Sequence, residues 1–111
     1  MLHEDRIRLR HMRESAVVAT HFLKGRSRGD LEADLQFQFA LVRAIEIVGE
    51  AASKISEDTR RANPEIEWQL IISMRNRLIH AYFDVSTDIL WNTATEALPP
   101  LIQQLNALLE E

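Results

Sequence analysis

The chain has 111 residues, 46% of them hydrophobic and 27% charged, with no cysteine and a formal net charge of −4. This composition suits one globular domain over residues 1–111, and the missing cysteines exclude a disulfide framework and thiolate metal sites. No run approaches the roughly eighteen apolar residues of a membrane span and the start MLHEDRIRLR has no signal-type apolar segment, so a cytoplasmic location without a membrane partner is expected.

The charge is unevenly spread. Residues 1–30 carry seven Lys or Arg against four acids, a net of +3, which leaves −7 for the remainder. Local basic charge governs affinity for a polyanion, so this end can touch phosphates. The plainer reading makes Arg6, Arg8, Arg10 and Arg13 the solvated face of a first helix.

Helical signals run through the whole chain without competing strand alternation. A first helix is predicted from Glu4 to Leu23, with Ile7, Val17, Val18 and Phe22 among its apolar positions, ending at the KGRSRGD segment. Asp30 is the expected N-cap of a second helix over Leu31 to Ile55. Two apolar stripes run along it: Leu35, Phe39, Val42 and Ile45 on one, Phe37, Leu41, Ala44, Val48 and Ala51 on the other. A helix with two apolar faces needs two neighbours, and a second subunit can be one of them.

The polar SEDTRRANPE stretch reads as a connection, with Asn63-Pro64 as a turn and helix-start signal. A third helix follows from Glu67 to Phe83, then a loop over 84–87 in which Ser86 or Thr87 caps a fourth helix. Pro99-Pro100 should break or kink that helix before LIQQLNALLEE continues it. The expected architecture is all-α, an antiparallel bundle.

The third helix carries the chemistry. At about 100° per residue, Leu70, Ile71, Leu78 and Ala81 fall within about 60° of Met74 and make a core stripe. Ile72, Asn76, Ile79 and Phe83 lie on the opposite side and make a second. Arg75 and His80 sit on the two shoulders of that second stripe, about 140° apart, with Tyr82 about 20° from Arg75. A permanent cation, a group titrating near neutrality and a phenol are costly to bring into an apolar neighbourhood without partners. One helix alone arranges Arg75 and His80 poorly around a phosphate. A twofold partner packed on Ile72, Ile79 and Phe83 would bring a second copy of both into one groove, so a homodimer with a composite site is expected.

Arg75 to Tyr82 spell R-x-x-x-x-H-x-Y, and with RAIEIVGEA at 43–51, PEIEW at 64–68, MRNRLIHAYFDV at 74–85 and ILW at 89–91 they resemble the HEPN superfamily of four- to five-helix nucleases, specifically its HepT toxin branch. The resemblance covers nearly the whole chain. It implies a metal-independent endoribonuclease toxin with no cofactor, cleaving tRNA or mRNA with Arg75 and His80 as the catalytic pair. It also implies that Tyr82 is the acceptor of AMP from a cognate minimal nucleotidyltransferase antitoxin. RNA is the substrate this chemistry requires, because DNA lacks the attacking 2′-hydroxyl. Asn76 is placed to hydrogen-bond a phosphate or His80. Glu46 and Glu50, four apart on the second helix, lack a third ligand for a metal site and are read as orienting Arg75 or Arg77, with Glu46 the supporting residue. The alternative reading is a catalytically weak nucleotide-binding or docking module that serves as substrate and partner of the transferase.

Overall fold

The computed structural model describes residues 1–80 and 85–110, with Ile79 and His80 described by their backbone alone. Its helices are α1 His3–Phe22, α2 Asp30–Ala33, α3 Leu35–Ser53, α4 Glu57–Ala62, α5 Trp68–His80, α6 Thr87–Asn92 and α7 Leu98–Leu109. A π-helical stretch, Thr93–Ala97, joins the last two, and no strand occurs among the described residues. The fold is the all-α HEPN-type bundle that the periodicity and the resemblance led us to expect. Helix α3 sits at its centre, with α1 and α5 both packed on it, while α7 covers α1. Antiparallel packing of α1 on α3 shows in two links: the Ser15 hydroxyl donates to the Ala44 carbonyl at 2.8 Å, and Asp5 reaches Ser56, just past the end of α3.

Leu9, Met12, Ala16 and Ala19 are the buried stripe of α1, and they meet Phe37, Leu41, Ala44 and Val48 of α3. Burying each Leu- or Phe-sized side chain contributes roughly 1.5–3 kcal/mol, so this seam is a principal source of cohesion. The apolar positions expected for α1 were out of phase with it: Ile7, Val18 and Phe22 stand 37%, 45% and 38% exposed. Two alanines outrank larger residues here because they let two helices approach closely. On α3 the stripe through Phe37 is buried, whereas Leu35 and Phe39 of the other stripe are 59% and 63% exposed.

Three local features differ from the sequence expectation. First, the second helix is divided: Asp30–Ala33 form one turn, and the extended Asp34 is the true cap of α3, accepting from the Gln36 and Phe37 amides at 3.0 and 3.2 Å. Asp30 instead accepts from the Ser27 amide at 2.7 Å, closing the loop before it. Second, the SEDTRRANPE connection contains α4. Ser56 caps it, and Asp5, only 2% exposed, accepts from the Ser56 amide at 3.0 Å and from the hydroxyls of Ser56 and Thr59 at 2.5 and 2.6 Å. Burial pushes the Asp5 carboxyl pKa up, but these hydrogen bonds and the nearby Arg8 charge outweigh it and hold the pKa below the usual carboxylate value. Arg60 of α4 donates to the Ile55, Ala52 and Ser53 carbonyls at 3.1, 3.2 and 2.8 Å, and so adds donors to acceptors at and just past the end of α3. Third, Pro99-Pro100 do not break the last helix. The π stretch immediately before them widens the turn, which relieves the clash a proline ring makes with the carbonyl four residues back, so the rod runs on from Thr87 to Leu109.

Helix α5 begins at Trp68, whose indole N–H donates to the Asn63 carbonyl at 3.0 Å. Leu78 is buried and Ile71 and Met74 half-buried, as expected of its core stripe, but Leu70 is 56% exposed beside the open groove between α5 and α7. Ser86 is the cap of α6, accepting from the Ile89 amide at 3.2 Å. No helix among the described residues is long and apolar enough to cross a membrane.

Candidate active site

Arg75 lies on the side of α5 that meets α3, where the opposing residue is Gly49. A Cβ added to Gly49 would stand 2.1 Å from the Arg75 Cβ, 2.9 Å from its Cγ and 3.1 Å from the Ile71 carbonyl. Glycine inside a helix costs roughly 1 kcal/mol relative to alanine, so its presence at a crossing reports that two helices must touch. The two helices meet here through the aliphatic stem of the arginine.

Beyond the stem, the guanidinium reaches two partners. Its Nη1 donates to Asn76 Oδ1 at 2.8 Å, and its Nη2 is 3.7 Å from Glu50 Oε2. The Nε–H is buried and has no hydrogen-bond partner among the described residues. A buried orphan donor is expensive, of order 1–3 kcal/mol, and such orphans in a native fold call for an explanation. Glu50 is shared: its Oε1 lies 3.6 Å from Lys54 Nζ, one turn on. Arg75 is thus held at a helix crossing, and the polar groups beside it do not saturate it among the described residues.

Of the residues expected in the site, Arg75 and Asn76 come together. The acid that faces Arg75 is Glu50, whereas Glu46 pairs with Arg43 of its own helix at 3.5 Å. The correction is one of helical phase: Glu50 directly follows Gly49, the point of contact, while Glu46 is a turn earlier. Ile72 is half-buried and packed against the core. The side chains of His80 and Ile79, and the whole of Tyr82 and Phe83, lie outside the described residues. Gly49 and Lys54 went unnoticed in the sequence as site residues. A glycine inside an otherwise strong helix former was the signal for the first.

The fold is an all-α bundle in which a partly exposed arginine, Arg75, stands at the crossing of α3 and α5. The family model described as "Ribonuclease HepT-like" matches residues 12–108, and the chain belongs to that family of ribonucleases. Among its relatives, a Thermococcus cleftensis protein named "Probable ribonuclease HepT" is 47% identical over 72 residues, which are 65% of this chain and 66% of that one. A Caldanaerobacter subterraneus subsp. tengcongensis protein named "Putative RNase TTE0752" is 32% identical over 103 residues, 93% of this chain and 92% of its own. A Methanocaldococcus jannaschii protein named "Gamma-glutamylcyclotransferase and putative RNase MJ0434" is 29% identical over all of this chain, which spans 50% of its length. No solved structure matches.

Proposed function

We propose that this protein is the toxin of a two-component toxin–antitoxin pair: a homodimeric, metal-independent endoribonuclease, one domain per chain, whose site is formed by Arg75 and His80 of both chains. The observation that carries this reading is the seating of Arg75, a cation fixed at a helix crossing whose donors are not saturated among the described residues. His80 follows five residues later on the same helix, in the register of the family motif. Leu35 and Phe39, exposed on the helix against which α5 packs, supply an apolar surface of the kind a twofold interface covers.

The chemistry needs little else. One His80 accepts the proton of a ribose 2′-hydroxyl, and the 2′-oxygen attacks the adjacent phosphorus. The bond from phosphorus to the 5′-oxygen breaks, and the second His80 returns a proton to that oxygen, leaving a 2′,3′-cyclic phosphate and a 5′-hydroxyl. Arg75 stabilises the charge that builds on the non-bridging oxygens. Asn76, with its Oδ1 engaged by Arg75, keeps its amide hydrogens for the substrate.

The off-switch is Tyr82. Its phenol oxygen attacks the α-phosphorus of ATP on a minimal nucleotidyltransferase, pyrophosphate leaves, and the attached AMP places phosphate charge and adenosine bulk next to Arg75. Two experiments test this reading. Purified unmodified protein should cleave tRNA or mRNA pools and His80→Ala should not; undiminished cleavage by the variant defeats the mechanism. Mass spectrometry after incubation with the transferase and ATP should find AMP on Tyr82, and label elsewhere defeats the switch.

A further inference from the structure

We infer that Glu50 is a positioning residue: together with the glycine before it, it fixes where the Arg75 guanidinium sits without consuming the donors that a phosphate needs. The inference rests on the ribonuclease reading above and adds to it a residue of a different helix, outside the R-x-x-x-x-H-x-Y segment.

Three observations carry it. Gly49 sets the depth of the arginine: with no Cβ in the way, the Arg75 stem lies directly on the α3 backbone, so Cβ and Cγ are fixed by helix packing. Beyond Cγ the side chain still has free torsions, and something must choose the direction of the head. Glu50 is the next residue of α3 and is the one acid that faces that head among the described residues.

The distances decide what kind of partner Glu50 is. A carboxylate that hydrogen-bonds a guanidinium does so at about 2.7–2.9 Å and, when bidentate, occupies two donors. Glu50 Oε2 stands off at 3.7 Å, too far for a hydrogen bond, while Oε1 is drawn the other way by Lys54 at 3.6 Å. Its field orients the cation, yet it occupies neither Nη2 nor Nε, and the latter lacks an acceptor among the described residues. Lys54 keeps the pair loose. A tight Glu50–Arg75 fork would compete with the substrate phosphate for the same edge, whereas no acid at all would leave the head free to wander.

Magnitude separates positioning from scaffolding. Both side chains are partly exposed, 26% for Arg75 and 45% for Glu50, and pairs of this kind add little to stability. Removing the charge of Glu50 should therefore leave the fold standing and move the arginine. Misplacement of a catalytic group by about 1 Å can lower a rate by about a hundredfold.

The test compares Glu50→Gln, Glu50→Asp and, as an exposed control far from the site, Glu57→Gln. In steady-state cleavage of RNA, Glu50→Gln should lose at least about tenfold in kcat with KM changed less than about threefold. Glu50→Asp should recover part of the loss, and Glu57→Gln should match the parent. A loss under about twofold, a loss confined to KM, or an Asp variant no better than Gln overturns the inference. A second measurement does not depend on activity: the Arg75 Nε–H resonance in ¹⁵N-labelled protein, assigned by its disappearance in Arg75→Lys. It should be sharp and slowly exchanging in the parent and broadened or fast-exchanging in Glu50→Gln. An unchanged resonance overturns the positioning role whatever the cleavage assay gives. If instead His80→Ala cleaves like the parent while the resonance responds as expected, the ribonuclease reading fails and the seating of Arg75 by Glu50 stands.

Discussion

Replacing Gly49 with alanine adds a single methyl at the point where α5 crosses α3, and its effect can be worked through from the distances. The new Cβ would sit 2.1 Å from the Arg75 Cβ. Carbon atoms rest at about 3.5–4.0 Å, so α5 must back away by about 1.5 Å at the crossing. The neighbour is itself a Cβ, anchored to the backbone, and cannot swing aside by changing rotamer. Alanine is the better helix former by roughly 0.8–1 kcal/mol, which offsets part of an overpacking cost of about 1–3 kcal/mol. The net is a loss of about 0–2 kcal/mol, or a fall in Tm of up to roughly 10 °C for a domain of this size. Activity should suffer more than stability, because a shift of that size at Arg75 is worth about a hundredfold in rate. Thermal denaturation followed by circular dichroism, alongside RNA cleavage at a temperature well below both transitions, measures the two effects. A Gly49→Ala protein that melts at or above the parent and cleaves as fast would refute the close-approach explanation.

Other outcomes follow from the same contacts. Asp5→Asn should cost about 2–3 kcal/mol, because the amide cannot accept from all three donors that Asp5 serves. Since the folded Asp5 pKa lies below that of a free aspartate, its contribution is complete above the unfolded pKa and is lost as pH falls through the folded one. The stability gap between parent and Asp5→Asn in urea unfolding should therefore narrow between pH 5 and the acid limit of the folded state; a constant gap would contradict the assignment. Arg60→Ala removes donors from the Ser53 and Ile55 carbonyls and a second donor from the Ala52 carbonyl, and should lower stability by about 1–2 kcal/mol, measurable in the same urea titrations. Phe39→Asp alters an exposed position and should leave the fold within about 0.5 kcal/mol of the parent while reducing the mass seen by light scattering from dimer to monomer. A dimer unaffected by that change would remove Phe39 from the interface.

The long helices were readable because apolar residues recur along them at the helical period: α1 and α3 fall close to their expected bounds and α5 starts next to its expected first residue, Glu67, while its expected end at Phe83 lies outside the described residues. What escaped depends on contacts between residues distant in sequence. Helix α4 has six residues, too short to announce itself by periodicity, and its cap is completed by Asp5, 51 positions away. The phase of α1 was missed because periodicity favours large residues, whereas Ala16 and Ala19 are buried where helices approach closely and Ile7, Val18 and Phe22 are left outside. The arginine of the motif was plain in the sequence, but its partner was not. Glu46 and Glu50 sit four apart on one helix, and only the crossing point at Gly49 decides which of them faces Arg75. The proline pair marked an irregularity in the last helix, but its form, a π stretch placed directly before the pair, is a local solution that composition does not show.

The claim that matters most is that Arg75 and His80 of two chains share one ribonuclease site, and mixing two inactive variants tests it directly. Arg75→Ala and His80→Ala homodimers, each deficient alone, are co-denatured, refolded together and assayed on RNA. A composite site gives mixed dimers with one arginine and one histidine in the shared groove; water must then protonate the 5′-oxygen in place of the missing second His80, so cleavage should rise above the sum of the two parents and stay below that of the unaltered protein. A site contained within each chain leaves every mixed dimer lacking one residue or the other, and cleavage that stays at the sum of the parents, with mixed dimers demonstrably formed, would contradict the two-chain site.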